Sequence, residues 1–176
     1  TLNWQELDEV LSRFANRLQQ EPLGERRRVA VFAENSIETG MANLGGLLAG
    51  ASVVPVNFHL TADEAAYILQ DSGVSVLFVG PETAERGLLA AAQSGVKTVV
   101  GWRTEDVSAR AASAGSSEGT EGATLIGWQQ FIEQGSSDCP DLDRTPLPNL
   151  LYTSGTTGRP KGTELPPTMF AGGNTL

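Results

Sequence analysis

The chain has 176 residues, of which 40% are hydrophobic and 19% charged, a balance typical of a globular rather than a disordered protein. Its formal net charge of −9 argues against a nucleic-acid partner, which would require a basic surface. One cysteine and one histidine exclude an intrachain disulfide and a multi-histidine metal site, and the lack of a long apolar run excludes a transmembrane segment.

The first predicted element is an amphipathic helix over residues 1–20. Asn3 and Glu6 have the spacing of an N-terminal capping box. The apolar residues that recur at helical spacing are Trp4, Leu7, Val10, Leu11, Phe14 and Leu18. Gly24 and the basic run up to Arg28 then predict a solvated turn, followed by a short apolar strand over residues 28–33.

A second helix is predicted to begin at Asn35–Ser36. Its apolar positions step by four, three and four residues, and they are Ile37, Met41, Leu44 and Leu48. Gly40, Gly45 and Gly46 each cost about 0.8–1 kcal/mol relative to alanine in a helix interior, so we expect this helix to pack closely against another backbone. Gly50 predicts its end, and residues 52–56 predict a second buried strand.

The same alternation continues to residue 100. A capping-box pattern at Thr61–Glu64 predicts a helix that Gly73 ends, and a strand follows over residues 74–79. A helix over residues 81–94 and a strand over residues 97–100 come next. Short apolar strands that alternate with helices predict an α/β fold, a layered and mostly parallel sheet flanked by helices.

The pattern then fails over a segment rich in Ser, Gly and Ala. Residues 108–124 hold no apolar side chain larger than alanine, which predicts a flexible insertion at about 104–124. A short helix is predicted at Trp128–Glu133, and Pro148 leads into a strand over residues 150–152.

Residues 152–162 read Tyr-Thr-Ser-Gly-Thr-Thr-Gly-Arg-Pro-Lys-Gly. Glycines allow the backbone to approach a ligand closely, and successive backbone N–H groups in such a turn form an anion-binding concavity. The hydroxyls add donors, and Lys161 adds a compact positive charge suited to phosphate. The spacing is not that of the common P-loop, in which Gly-Lys-Ser/Thr opens a helix. The run predicts a polyphosphate-binding loop, and the alternative is a flexible surface loop.

Position for position, this run resembles the signature loop of the adenylate-forming superfamily. That superfamily comprises acyl-CoA synthetases, fatty-acyl-AMP ligases, adenylation domains of nonribosomal peptide synthesis and luciferases. The resemblance extends back to Val-Ala-Val at 29–31, Glu-Asn-Ser at 34–36 and residues 50–57, and it is greatest for the fatty-acyl ligase branch. It implies that residues 1–176 are the N-terminal part of the ligase's large domain, with the phosphate loop at 152–162 and the C-terminal domain absent.

The resemblance also implies an activity. Such ligases activate a fatty acid with Mg-ATP to an acyl-adenylate and pass the acyl group to coenzyme A or to an acyl carrier protein. The residues implied in contact with the β- and γ-phosphates are Thr153, Ser154, Gly155, Thr156, Thr157, Gly158 and Lys161. Thr153 either contacts phosphate or ends the strand, whereas Tyr152 packs. No catalytic residue and no metal ligand is implied within the chain, so the fragment alone is expected to be inactive and to bind ATP weakly or not at all.

One departure from the family pattern follows the loop. Pro166 and Pro167 occupy positions where relatives usually carry a Thr-His or Ser-His pair. One alternative to a fatty-acyl ligase is an adenylation domain for an amino or aryl acid. The two prolines support a second alternative, a non-catalytic nucleotide-binding relative. The excess of arginine over lysine is typical of a bacterial protein from a high-GC genome, and the single cysteine favours the cytoplasm.

Overall fold

The strands of the chain alternate with helices up to residue 101, as the sequence predicts. The computed structural model describes residues 3–106, 122–145, 147–153 and 159–165. The elements, in chain order, are α1 (Trp4–Gln19), β1 (Arg28–Phe32), α2 (Ile37–Leu48), β2 (Ser52–Val56), α3 (Ala62–Ser72), β3 (Val76–Val79), α4 (Ala84–Ser94), β4 (Thr98–Gly101), β5 (Thr124–Gly127), α5 (Trp128–Glu133), β6 (Leu150–Thr153) and β7 (Lys161–Glu164).

Five of the described strands form one parallel sheet in the order β2-β1-β3-β4-β5. This confirms the predicted α/β class. The three inner strands β1, β3 and β4 are buried almost throughout, because helices cover both faces of the sheet. Helices α3 and α4 cover one face, and α1, α2 and α5 cover the other.

Helix α1 begins with the predicted capping box. The Asn3 side chain accepts from the Glu6 N–H, and the Glu6 side chain accepts from the Asn3 N–H. The predicted apolar face is buried at Phe14 and Leu18, but Trp4 is 86% exposed. The first turn extends past the core, so helical spacing alone placed Trp4 wrongly.

Helix α2 turns a different face to the core from the one that its apolar spacing predicts. Of the apolar positions only Met41 is buried, whereas Ile37 is 69% exposed and Leu44 is 52% exposed. The buried face carries Gly45 and Gly46 instead. A Cβ at Gly45 would collide with the Phe14 ring, so the helix does approach a neighbouring element closely there. The prediction was wrong in two respects, because the atoms met are side-chain rather than backbone atoms and a Cβ at Gly40 would meet nothing within 4 Å.

Several boundaries differ from the predictions by a few residues. Strand β3 begins at Val76 rather than at 74, and α4 begins at Ala84 rather than at 81. Helix α4 begins later than predicted because Thr83 is held by two hydrogen bonds. Its hydroxyl donates to the Phe32 carbonyl at 2.5 Å and accepts from the Gly80 N–H at 3.1 Å. These bonds hold residues 80–83 as a turn between β3 and α4.

Strand β5 is absent from the predictions, which assigned residues up to Thr124 to the insertion. Thr124–Gly127 pairs with Thr98–Gly101 in parallel and forms one edge of the sheet. Leu125 and Ile126 are only half-buried, so the run shows the weak apolar signal of an edge strand. Residues 107–121, most of the predicted insertion, lie outside the described part of the chain.

Candidate functional site

The predicted phosphate loop connects the two strands of a hairpin. Strand β6 pairs with β7 in antiparallel register, with Thr153 opposite Lys161 and Tyr152 opposite Gly162. The structure therefore brings together the first and last of the predicted phosphate-contacting residues, and both side chains are exposed. Ser154, Gly155, Thr156, Thr157 and Gly158 lie outside the described residues.

The sequence did not predict strand β7, because Lys161–Glu164 carries no apolar side chain and all four residues are exposed. Its backbone hydrogen bonds to β6 nevertheless define it, and Leu165 N–H extends the pairing to the Asn149 carbonyl at 2.9 Å. Gly162 fits closely over the partner strand, where a Cβ would lie 3.2 Å from both Leu150 Cδ1 and Tyr152 Cζ. Pairing with β6, rather than burial, forms this strand.

The base of the hairpin is attached to the edge strand β2. The Asn149 side-chain oxygen accepts from the Val53 N–H at 3.0 Å, and the Ser52 hydroxyl donates to the Pro148 carbonyl at 2.5 Å. Leu150 is 5% exposed and packs in the core under α3 and α4. These contacts anchor the first residues of β6 to the sheet.

Arg28, the first residue of β1, joins the sheet to strand β7 of the hairpin. Its guanidinium pairs with the Glu164 carboxylate at 2.7 Å and donates to the Ser72 carbonyl at 2.9 Å. The Arg28 side chain is only 12% exposed. The prediction of a solvated turn was therefore wrong for Arg28, because the carboxylate that partners it lies 136 residues away in the chain.

Tyr152 both packs and forms a specific polar contact. Its ring lies against the core beside α3, and its hydroxyl donates to the Asp71 carboxylate at 2.6 Å. Partial burial, followed by the hydrogen bond and negative charge of Asp71, raises the pKa of Tyr152 above its ordinary value. The phenol therefore remains a neutral donor at physiological pH. The sequence predicted the packing of Tyr152 and missed its partner.

The returning side of the connection contacts the same helix. The Arg159 guanidinium lies over the Tyr67 ring at 5.3 Å, within the range of a cation–π contact. The Tyr67 hydroxyl also lies 3.4 Å from the Pro160 carbonyl, which it approaches as a long donor. Residues on both sides of the 154–158 segment therefore contact α3.

A second concave region lies at the carboxyl ends of β1 and β3, the position where open α/β sheets commonly bind ligands. This cavity of about 510 Å³ is lined by Glu34, Asn35, Ser36, Ile37, Glu38, Pro81, Glu82 and Arg103. Arg103 is paired with Glu38 at 3.2 Å. Three carboxylates against one paired cation disfavour a polyphosphate here. At the β6–β7 hairpin, by contrast, the Lys161 side chain is exposed.

The remaining reactive side chains do not form a catalytic group in the part of the chain described. Cys139 is exposed and its thiol contacts the neighbouring Pro140 carbonyl, while His59 stacks on Phe58 with ring centroids 4.0 Å apart. Among the described residues, no three His, Cys, Asp or Glu side chains are grouped to hold a metal ion. No described helix has the length and apolarity needed to cross a membrane.

Known proteins resemble this chain over most of its length. Surfactin synthase subunit 3 of Bacillus subtilis is 32% identical over 162 residues, which cover 92% of this chain and 11% of that protein. A long-chain-fatty-acid–CoA ligase of Mycobacterium tuberculosis is 30% identical over 165 residues, or 92% of this chain and 29% of the ligase. The A-PCP didomain of a carboxylic acid reductase from Segniliparus rugosus, solved in complex with AMP, has a TM-score of 0.78 at 22% identity and covers 97% of this chain.

The chain thus spans about a tenth of the synthase subunit and less than a third of the ligase. It covers 26% of the reductase didomain, a likeness that shows the fold. The family of AMP-binding enzymes matches residues 1–166, which include β6, β7 and the segment between them. The chain therefore belongs to the AMP-binding enzyme family, and the predicted adenylate-forming superfamily is confirmed.

Proposed function

We propose that the chain is the N-terminal part of the large domain of an ATP-dependent ligase that activates a fatty acid to its acyl-adenylate. The β6–β7 hairpin then presents the phosphate loop. The observation that carries this proposal is the direct pairing of Thr153 with Lys161 across the hairpin. In this register the hydroxyl of Thr153, just before the Ser-Gly-Thr-Thr-Gly segment, is opposite the ammonium of Lys161, which follows the segment after Arg159 and Pro160.

In this reaction negative charge develops on the leaving pyrophosphate, which Thr153 and Lys161 would contact. A carboxylate oxygen of the acid attacks the α-phosphorus of ATP, the bond to the bridging oxygen breaks, and pyrophosphate leaves with that electron pair. The ammonium of Lys161 and the hydroxyl of Thr153, with the donors of residues 154–158, stabilise the negative charge on the β- and γ-phosphates. In such chemistry positioning and electrostatic stabilisation supply most of the catalysis. In the second step a thiol attacks the acyl carbonyl and AMP leaves.

Magnesium would enter this site with the nucleotide. The ion commonly keeps several waters and takes one or two carboxylates together with the substrate phosphates, rather than a cage of protein ligands. The described residues hold no cluster of three ligating His, Cys, Asp or Glu side chains, and Lys161, a cation with no acceptor, suits the phosphates rather than the ion. When bound, magnesium neutralises phosphate charge.

The proposal of a fatty acid as the substrate is supported by relatives rather than by the hairpin. The resemblance to the fatty-acyl branch and the identity with the mycobacterial long-chain-fatty-acid–CoA ligase favour a fatty acid. The relation to a surfactin synthase subunit favours the second candidate, an adenylation domain for an amino or aryl acid. Coenzyme A or an acyl carrier protein would accept the acyl group, and a cytoplasmic enzyme is consistent with both acceptors.

The test is exchange of labelled pyrophosphate into ATP by the intact protein that carries this chain, with fatty, amino and aryl acids supplied in turn. We expect exchange with a fatty acid, and a loss of about 100-fold or more in Lys161→Ala and Thr156→Ala, a typical effect of removing one charge-stabilising donor. Lys97→Ala is the matched control, because Lys97 is exposed just before β4 and away from the hairpin. Wild-type rates in Lys161→Ala would contradict the role of the loop. Exchange with amino or aryl acids alone would favour the second candidate.

A further inference from the structure

Helix α3 contacts both sides of the phosphate-loop connection. Asp71 accepts from Tyr152, the residue immediately before Thr153. Tyr67 contacts Arg159 and Pro160, the residues immediately before Lys161. Residues 67 and 71 are four positions apart and therefore lie on one face of the helix, one turn from each other.

The helix is a rigid platform for these contacts. It begins with a complete capping box between Thr61 and Glu64, and it ends at Gly73, whose φ of +69° is the left-handed conformation of a C-terminal cap. Its opposite face is buried through Ala65, Ile68 and Leu69. Motion of the hairpin relative to the sheet would therefore break contacts with an element that does not itself move easily.

We propose that Tyr67 and Asp71 are positioning residues, which fix the two ends of the phosphate loop against α3 so that Thr153 and Lys161 face the same phosphates. This inference rests on the proposed function and assigns a role in it to a helix that carries none of the predicted site residues. The Asp71 contact fixes the outgoing strand β6. The Tyr67 contacts fix the returning strand β7.

The two contacts differ in kind, and this gives each a suitable set of variants. The bond from Tyr152 to Asp71 needs only an acceptor, so Asp71→Asn retains it whereas Asp71→Ala removes it. The Tyr67 contact depends mainly on the ring under Arg159, because the hydroxyl distance of 3.4 Å is long. Tyr67→Phe therefore keeps most of this contact, and Tyr67→Leu removes it.

Asp63→Ala is the matched control. Asp63 lies on the same helix, but its carboxylate accepts from Gln93 of α4 at 3.0 Å and does not contact the hairpin. The variant thus removes a carboxylate and a side-chain hydrogen bond from α3 and leaves the hairpin contacts in place. A carboxylate stabilises the first turn of a helix, where Asp63 lies, and not the last turn, where Asp71 lies. An effect that comes only from weakening the helix will therefore appear in Asp63→Ala rather than in Asp71→Ala.

The first measurement is the KM for ATP in pyrophosphate exchange by the intact protein that carries this chain. We expect Asp71→Ala and Tyr67→Leu to raise this KM by roughly 3- to 10-fold, the factor that corresponds to one ordinary hydrogen bond. Asp71→Asn, Tyr67→Phe and Asp63→Ala should stay near the wild-type KM. A wild-type KM in both Asp71→Ala and Tyr67→Leu would overturn the proposal, as would an equal rise in Asp63→Ala.

The second measurement needs no activity. Trypsin cleaves after Lys161, whereas the bond after Arg159 is resistant because proline follows it. We expect cleavage between Lys161 and Gly162, in the intact protein that carries this chain, to be faster in Asp71→Ala and Tyr67→Leu than in Asp63→Ala. Equal cleavage rates would overturn the positioning role. If none of the supplied acids supports pyrophosphate exchange by the wild-type protein, the proposed function fails. The cleavage rates still decide whether α3 positions the hairpin.

Discussion

Gly45 of α2 lies against the Phe14 ring of α1 with no room for a side-chain carbon between them. A Cβ built on Gly45 would come closer to three ring atoms of Phe14 than real Cβ atoms do. Phe14 cannot move aside easily, since it is fully buried and its ring packs on Phe78 and Phe131 at centroid distances of 5.1 and 5.6 Å. The glycine therefore sets the distance between α1 and α2.

We expect Gly45→Ala to lower the free energy of unfolding by about 1–3 kcal/mol, the usual cost of overpacking a core. Gly40→Ala in the same helix is the control, because a Cβ there meets nothing within 4 Å. It should raise the stability by up to about 1 kcal/mol through helix propensity. Urea unfolding of the two variants measures both effects. Shifts of the same sign would contradict the close approach of α2 to Phe14.

The N-terminal cap of α3 allows a second stability prediction. Thr61 accepts from the Glu64 N–H at 3.4 Å through its hydroxyl, and removal of such a cap typically costs about 1 kcal/mol. We therefore expect Thr61→Ala to unfold at lower urea concentration than the wild type. Thr61→Ser should retain most of the stability, since serine caps equally well. A Thr61→Ser variant as unstable as Thr61→Ala would assign the loss to the methyl group instead.

Because of the same cap, we expect the stability of the fold to depend on pH in the acid range. The Thr61 N–H and then the Thr61 hydroxyl, both donors to the Glu64 carboxylate, lower the pKa of Glu64 below its ordinary value of 4.5. A depressed pKa in the folded state adds stability above the unfolded value, and this stability is lost as pH falls through the folded value. The stability difference between wild type and Glu64→Gln should be constant above about pH 5 and shrink below it. Urea titrations across this range test it, and a difference independent of pH would contradict it.

For Tyr152 we expect the opposite pH dependence, a loss of stability as the pH rises into the alkaline range. Its pKa is raised in the folded state, so its contribution to stability is present below the unfolded pKa of about 10 and is lost as pH rises further. In the 176-residue chain with Tyr67→Phe, Tyr152 is the only remaining tyrosine. Its phenolate absorbance should appear only above about pH 10 while circular dichroism shows a folded chain. Ionisation of Tyr152 in the folded chain at or below that pH would contradict its partial burial and its contact with Asp71.

The 176-residue chain by itself should bind ATP weakly or not at all. Residues at the hairpin are proposed to contact phosphates, and the chain covers only 29% of the mycobacterial ligase that it matches. Phosphate contacts alone would have to offset the lost translational and rotational freedom of the nucleotide. Isothermal titration calorimetry measures this directly, and a micromolar dissociation constant would show that the chain contains a complete nucleotide site.

Local signals in the sequence determined most elements of this fold, with β5 and β7 as exceptions. Capping boxes at Asn3 and Thr61 and the left-handed glycines Gly73 and Gly95 mark helix ends through bonds between near neighbours. The buried runs of β1, β3 and β4 carry enough apolar residues to be recognised as inner parallel strands. The signature run likewise identified the family, because it resembles the family's loop position for position.

Tertiary structure decided what depends on partners distant in the chain. The sequence could not show that Gly45 rather than Leu44 faces the core, because the ring that selects the glycine belongs to another helix. Strands β5 and β7 escaped prediction because an edge strand and an exposed hairpin strand are defined by backbone pairing and need little apolar burial. The contacts of Tyr152 with Asp71 and of Arg28 with Glu164 span 81 and 136 residues. Only the folded sheet brings these groups together, and so only the fold shows how the proposed phosphate loop is held.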